Sequence, residues 1–424
     1  MHSSLEHRVA DSPVAGNSPD RSGAAAFAQE HFAHSTIARP SLLSISPGSI
    51  VHAEKSFPDY ALGAEIKELG LQVLKQGIKV IIEQPHTWLN AEQGGDATRL
   101  MFGNLLVAMS QLQIPFHAIP TTKKDSLTPR EMSPNELRFT YHTALTTGHP
   151  NLWQIKESYF PPFFTFDRKG YSGWAELATN KDLFNRSQEI DADFALAYAK
   201  DLRDWIQANR TTKYIQSTSA APEREGYVLH PIQVPKDPVV LNHAHIPHRK
   251  LLLAAIAQAE QLNVPLVLKQ HPRCNDKTVA NIIQTSRSAN VIVSDAPILD
   301  LIAGAKSVLV INSGTGMEAL IQGKPVYSAG ASDYRWAANE VTAVDQLEEA
   351  FVAPQHKLSE VERAKFLTYY FRDYCVHGAQ PSSFERHLTE ALTDWLTSQT
   401  NPLASTSQTP TLRKSWFPFS WRKP

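Results

Sequence analysis

The stretch SVLVINSGTGMEALIQGKPVYSAG, Ser307 to Gly330, decides the fold. Its first residues form a continuous apolar run that enters a Gly-rich turn, Ser313 to Gly316. The segment MEALIQG then reads as a helix closed by Gly323, and KPVYSAG as the next strand. A strand without polar alternation is one buried on both faces, which parallel sheets covered by helices require. The same pattern extends backwards. NVIVSD (Asn290–Asp295) is a strand, and Asp295 before Ala-Pro suits the start of a short helix ending near Gly304. VPLVLKQHP (Val264–Pro272) is an apolar strand that ends in polar residues. Leu252, Ile256 and Ala259 mark a helix over Pro247–Leu262, and GYVLHPIQV (Gly226–Val234) is a further strand. Strand and helix thus alternate at short spacing, which predicts a doubly wound α/β domain.

The first half is less regular. A helical pattern over Gly63–Gln76 leads into IKVIIEQPH (Ile78–His86), a strand. Asp96–Leu112 is helical, IPFHAIP (Ile114–Pro120) is a strand, and Lys123–Pro134 reads as a surface loop. PPFFTF is a strand that stops at Asp167, and Asp191–Asn209 is helical. The expected organisation is a disordered leader (1–47), a first α/β domain (48–215) and a second α/β domain (216–355). C-terminal helices (356–398) and a flexible basic-aromatic tail (399–424) complete it. The fold class is α/β, with two Rossmann-like domains facing a cleft.

The chain has 424 residues, with 41 Lys plus Arg against 42 Asp plus Glu, so no basic field argues for nucleic acid as a partner. Two cysteines, Cys274 and Cys375, supply neither a disulfide framework nor a four-ligand zinc site. No apolar run reaches the ~20 residues of a membrane span, and the amino terminus lacks a signal-peptide core. A cytoplasmic protein is the expectation.

In open α/β sheets ligands bind beyond the carboxyl ends of strands. Two such ends carry unusual residues. Lys269-Gln270-His271-Pro272-Arg273 brings two cations and an imidazole, and Asn312-Ser313-Gly314-Thr315-Gly316-Met317-Glu318 is a small-residue strand–turn–helix junction. Free N–H groups at a helix start favour an anion, and Ser313 and Thr315 add hydroxyls. Glu318, in the first turn, could accept from a sugar hydroxyl. Each feature also has a plain structural reading: a His-Pro turn, a helix cap, a carboxylate facing the dipole. Neither the Walker loop nor the GxGxxG fingerprint is present. Together, both strand ends in one domain predict a site for a phosphate-bearing ligand.

These residues resemble a family. HPR (271–273), SANVIVSDAPILDLIAGAKSVLVINSGTGMEALIQGKPVYSAGASDYRW (288–336), the GYVLHPIQV strand and WQIKESYFPPFFTFDRKGYSGW (Trp153–Trp174) are similar to the bacterial capsule polysaccharide biosynthesis proteins. The resemblance implies a GT-B-type glycosyltransferase that transfers β-Kdo from CMP-Kdo onto a growing glycolipid. It places His271 and Ser313-Gly314-Thr315 on the nucleotide's phosphate, with Glu318 and Lys324 nearby and Gln233 facing the cleft, and Lys269 at its strand end is a further candidate for that ligand. Its retaining chemistry calls for a carboxylate at the anomeric carbon, for which Asp167 is the first candidate and Glu157 the second. Gly314 departs from the common pattern, where a second Ser or Thr is frequent. The resemblance implies no cofactor beyond the donor substrate.

The chemistry suits those residue types. Breaking a sugar–phosphate bond leaves negative charge on the phosphate and positive charge on the ring, so donors and a cation serve one side and a carboxylate the other. Attack by Asp167 would give retention, with Glu157 or His142 as acid or base and no metal. Asp167 equally fits the first position of an Asp-Arg-Lys-Gly type I turn. The aromatics Trp153, Tyr159, Phe160, Phe163, Phe164 and Phe166 read as core, and His243, His245 and His248 as loop residues. The C-terminal TLRKSWFPFSWRKP interleaves four cations with four aromatics, which suits an anionic bilayer surface as well as an unstructured tail. The expected partners are a nucleotide-sugar donor, a lipid-linked saccharide acceptor, the inner-membrane surface and a capsule synthesis-export complex. A UDP-sugar transferase or epimerase, and a non-catalytic nucleotide- or glycan-binding scaffold, are the competing readings.

Overall fold

A computed structural model describes residues 71–400, apart from 74, 92–93, 123–124, 126–131 and 144–150. The leader and the basic-aromatic tail lie outside the described residues. Two six-stranded sheets organise the rest.

The first sheet holds β1 (Lys79–Pro85), β2 (His117–Thr121), β3 (Glu136–Tyr141), β4 (Leu152–Glu157) and β5 (Phe163–Asp167). Strands β2, β1, β3 and β4 run parallel in that order, and β5 is antiparallel to β4. One face is apolar. Val80, Ile82, Phe139, Trp153, Ile155, Phe164 and Phe166 pack there against helix α1 (Gly95–Gln111), whose Met101, Leu105 and Met109 are buried. The other face is polar: Glu83, Arg138, Thr140, Gln154, Lys156, Thr165 and Asp167 alternate with the apolar set. On this face Arg138 is ion-paired to Glu83 at 2.8 Å and to Glu136.

Helix α2 (Ala192–Asn209), capped by the Asp191 side chain, leads towards the second sheet. That sheet is parallel throughout. It comprises β6 (Tyr227–Ile232), β7 (Leu266–Gln270), β8 (Val291–Val293), β9 (Ala305–Val310), β10 (Val326–Ser328) and β11 (Asn339–Glu340), in the order β11-β10-β9-β6-β7-β8. Helices α3 (Pro238–His243), α4 (His248–Leu262), α5 (Lys277–Thr285), α6 (Ile298–Gly304) and α7 (Gly314–Ile321) connect its strands. The order reverses between β6 and β9, the place where open sheets bind ligands. Gly323 ends α7 with φ +73° and donates to Leu320 O, as the sequence pattern predicts. Asp295 does not cap α6. The first N–H, Ile298, donates instead to Gln216 Oε1 at 2.9 Å.

The C-terminal segment returns to the first sheet. Helix α8 (Glu360–Thr368) packs on α2 and runs into a π-helical turn, Tyr369–Tyr374. The next residues form β12 (Cys375–His377), an edge strand antiparallel to β5. Helix α9 (Ser382–Thr400) then buries Phe384, Leu388 and Trp395 against the apolar face of the first sheet. The segment expected to hold C-terminal helices (356–398) therefore also supplies a strand. A third apolar cluster joins the two halves, with Phe160 and Phe163 packed among Leu229, Val308, Val310, Tyr370 and Phe371.

Candidate functional site

The carboxyl ends of β4 and β7 meet through the linker that follows α2. Lys213 on this linker lies 3.2 Å from Glu157 Oε2 and donates to Ser158 O at 3.1 Å. Its neighbour Tyr214 stacks edge-on against His271, with centroids 4.9 Å apart, and Arg273 sits over the Tyr214 ring at 5.1 Å. The linker is fixed to the second sheet by Gln216 at Ile298 N and by Ser217 Oγ donating to Asp295 O at 2.7 Å. Glu157 of the first sheet and His271 of the second thus face one junction.

The electrostatics of that junction are coupled. Burial would raise Glu157, but Lys213, Lys156 and Arg273 outweigh it and hold the carboxyl below its usual range. Lys213 is shifted the other way: burial opposes its charge, and Glu157 more than restores it. Lys156 is pushed down to about 7 by burial and by Lys213. Glu318 is pushed up to about 7 by burial, against Thr315 and Lys213. The His271 imidazole is lowered by burial and by Arg273. Its Nδ1 accepts from Arg273 N–H at 3.0 Å, so the neutral ring carries its proton on Nε2 as a donor.

Not every predicted residue reaches this junction. Gln233 bridges the switch point: its Nε2 donates to Asn312 Oδ1 at 2.9 Å, and its Oε1 accepts from Asn312 N at 3.0 Å. It holds β6 and β9 together at their carboxyl ends. Ser313 caps α7 by accepting from Thr315 N at 3.3 Å. The helix starts at Gly314, so Glu318 lies a turn deeper than the sequence reading placed it, and is 7% exposed. Tyr159 packs on Gly314 and Tyr334 on Gly316, where a Cβ would come within 2.9 Å and 2.5 Å of the respective rings. Two tyrosines therefore explain the small residues of this turn.

Lys269 reaches sideways, donating to Asp295 O and Ala296 O at 2.8 and 2.7 Å, and holds the loop after β8. Lys324 precedes β10 at the amino edge of the sheet and donates to Ala303 O, so it stands opposite the junction. Asp167 is 2% exposed and has all its acceptor positions in use. Lys169 N, Gly170 N and Glu176 N donate to it at 2.6–2.8 Å, and Tyr374 Oη at 2.6 Å. Burial still leaves its carboxyl up at about 6. This is the turn geometry the Asp-Arg-Lys-Gly sequence allows. His142 stacks on Tyr171 with centroids 5.1 Å apart and also contacts Trp88.

Lys213 and Lys156 were not singled out by sequence. Lys213 lies in a loop without a motif, and Lys156 is one residue from a candidate carboxylate, which was its only signal. Asp333 is a third omission, buried and accepting from Tyr159 and, at 2.9 Å, from Tyr370. Among the described residues, no group of three or more His, Cys, Asp or Glu is placed to hold a metal ion. His243, His245 and His248 turn to separate partners: Trp174, Glu340 and the Gln233 carbonyl. No helix among the described residues is long and apolar enough to cross a membrane.

Residues 179–378 match the family model described as capsule polysaccharide biosynthesis protein. That stretch carries the second sheet, His271 and the α7 turn. No curated protein matches the chain. Among solved structures, the chain is similar to a β-Kdo 2,7 transferase, KpsC of Thermosulfurimonas dismutans, at 15% identity and a TM-score of 0.44. That alignment covers 74% of this chain and 99% of the other. The β-Kdo 2,4 transferase of the same KpsC aligns at 14% identity and TM-score 0.44, over 73% and 98%. The UDP-GlcNAc 2-epimerase of Methanocaldococcus jannaschii aligns at 9% identity and TM-score 0.31, over 69% and 99%. The mixed α/β architecture with two largely parallel sheets is the one expected for the chain.

Proposed function

We propose that the protein is a glycosyltransferase of capsular or related surface-polysaccharide synthesis that uses a nucleotide-activated sugar, CMP-Kdo, and a lipid-linked glycan acceptor. The observation that carries this reading is the junction itself, where Glu157 of one sheet, Lys213 of the linker and His271 of the other meet. The family match over the second sheet and the resemblance of the sequence support it.

In this reading the donor's phosphate lies against His271 Nε2–H and the start of α7, where Ser313, Gly314 and Thr315 sit. Glu157 is the carboxylate at the anomeric carbon, because Asp167 has no acceptor position left for a sugar. Glu157 attacks as the bond to the phosphate breaks, and CMP leaves with the bonding electrons. The acceptor hydroxyl then displaces Glu157 and gives its proton to Glu318, whose raised proton affinity suits a base near neutral pH. Two inversions give net retention, and no step needs a metal. The protein works at the inner-membrane surface, and the C-terminal basic-aromatic segment supplies the contact there.

A calorimetric panel of CMP, UDP, GDP and ADP, with His271→Ala as control, tests the reading. CMP is expected to bind selectively and to be lost on the substitution. A preference for UDP sinks the CMP-sugar assignment, and silence across the panel sinks the transferase.

A further inference from the structure

The loop after β10 carries a buried carboxylate that the junction does not use. Asp333 is 2% exposed, and its two oxygens accept from hydroxyls on different parts of the chain. Oδ1 accepts from Tyr159, on the connection between β4 and β5, and Oδ2 accepts at 2.9 Å from Tyr370, on the π-helical turn. Burial pushes the Asp333 carboxyl up to about 6, against the pull of the two hydroxyls. Burial also holds both phenols well above their ordinary range, so above pH 6 the carboxylate accepts and both tyrosines donate. A buried carboxylate met by neutral donors stabilises a fold less than an apolar side chain of that size, so its presence here points to a positional role.

That position is the start of α7. The Tyr159 ring lies against Gly314 and the Tyr334 ring against Gly316, and the two rings meet edge-on with centroids 5.6 Å apart. Tyr334, the residue after Asp333, donates to Ser313 O at 2.7 Å. The loop that carries both is fastened to the second sheet and to α3. Ala329 N donates to Val310 O at 2.8 Å, Ser328 Oγ to Ile311 O at 2.7 Å, and Ala331 N to His243 O at 2.9 Å. From this base Asp333 reaches across to the first sheet and takes Tyr159 by its hydroxyl. Tyr370 stacks on Tyr159 with centroids 5.9 Å apart, and its hydroxyl is also 3.3 Å from Ser158 Oγ.

We propose that Asp333 is a positioning residue: by holding the Tyr159 hydroxyl it seats that ring on Gly314 and fixes the α7 turn against the first sheet. The inference rests on the reading above, in which the donor's phosphate lies at this turn, and adds to it a residue whose own oxygens are occupied. One loop grips the turn twice, through Tyr334 on the Ser313 carbonyl and through Asp333 and Tyr159 on Gly314. The N–H groups of a helix start serve an anion only when they converge on it, and a displacement of about 1 Å costs on the order of a hundredfold in rate. Anchoring the turn from both sheets keeps that geometry before the donor arrives.

Amide hydrogen exchange at the turn, with CMP affinity by calorimetry, tests this on Tyr159→Phe, Asp333→Asn, their double variant and Tyr370→Phe. Tyr159→Phe keeps the ring and deletes only the hydroxyl, so it serves even if Asp333→Asn fails to fold. Tyr370→Phe removes a hydrogen bond from the other oxygen of the same carboxylate and is the control for a merely structural role. The amides to follow are Thr315 and Gly316, which donate to Ser313 Oγ and Ser313 O. In Tyr159→Phe they should exchange about tenfold faster, and CMP should bind about tenfold more weakly. Asp333→Asn should match it, and the double variant should be no worse than either single one. Tyr370→Phe should lower the urea midpoint yet leave both readings within about twofold of wild type. Unchanged exchange in Tyr159→Phe, or the same change in Tyr370→Phe, would overturn the proposal. Faster exchange with unchanged CMP affinity would overturn it as well, because the anion would then bind elsewhere. If the wild type prefers UDP, the comparison is made with UDP. If it binds no nucleotide, the transferase reading fails on its own, and exchange still decides whether Asp333 fixes the turn.

Discussion

Two carboxylates that looked alike in sequence are set apart by their surroundings. Asp167 accepts four hydrogen bonds and holds the turn into the 172–176 segment, whereas Glu157 faces Lys213. Asp167→Asn turns one acceptor into a donor that faces N–H groups, so unfolding free energy measured in urea should fall by about 2–3 kcal/mol. The folded protein should still bind CMP. Glu318 gives a pH signature. Its folded-state proton affinity is raised to about 7 from the ordinary 4.5, so the folded state holds a proton that the unfolded chain has released between those values. Its contribution is present below about 4.5 and is lost as pH rises through about 7. Glu318→Gln is insensitive to this loss, and its melting temperature relative to wild type should rise from pH 5 to pH 8. An unchanged difference would refute the burial argument. At this scale the two candidate carboxylates are legible in the sequence, but the surroundings that set them apart are not. Whether an Asp after a strand serves a turn or a ligand depends on Tyr374, two hundred residues away.

Elements with a strong period were legible. The helices over Ala192–Asn209 and His248–Leu262, and strands β6, β7 and β9, fall where apolar spacing put them, because burial on fixed faces sets both pattern and structure. Strands β3 and β12 were not legible. Polar and charged residues interrupt β3, whose Arg138 and Glu136 pair on the sheet's polar face, and β12 is only three residues long and pairs across more than two hundred positions. The α7 turn was half legible. Its helix was foreseen from Met317 but starts at Gly314, and its glycines answer to Tyr159 and Tyr334, of which Tyr334 is buried and tied through its hydroxyl to Ser313 O at 2.7 Å. Gly316→Ala should therefore destabilise the protein by about 1–3 kcal/mol, read as a lower urea midpoint. Stability equal to wild type would mean that the tyrosine can move aside.

At the level of the molecule, the return of the chain to the first sheet ties its far end to its beginning. Strand β12 covers the β5 edge, and α9 buries Trp395, Phe384 and Leu388 on the apolar face. A chain cut after residue 374 should expose that face and bind a hydrophobic dye that the longer chain excludes, while equal dye binding would show that α9 is dispensable. The two-sheet plan was readable in part, since the second half alternates strictly. The junction was not, because Lys213 acquires its role only when the linker is fastened between Gln216 and the second sheet. The central claim is that Glu157 at this junction is the carboxylate that meets the sugar. Its most direct test is CMP release from CMP-Kdo, with a lipid-linked glycan acceptor, by wild type, Glu157→Gln and Asp167→Asn, after CMP binding has been verified for each. The account predicts a loss on the order of a hundredfold or more for Glu157→Gln and near wild-type turnover for folded Asp167→Asn. Turnover that survives in Glu157→Gln and vanishes in Asp167→Asn would contradict it.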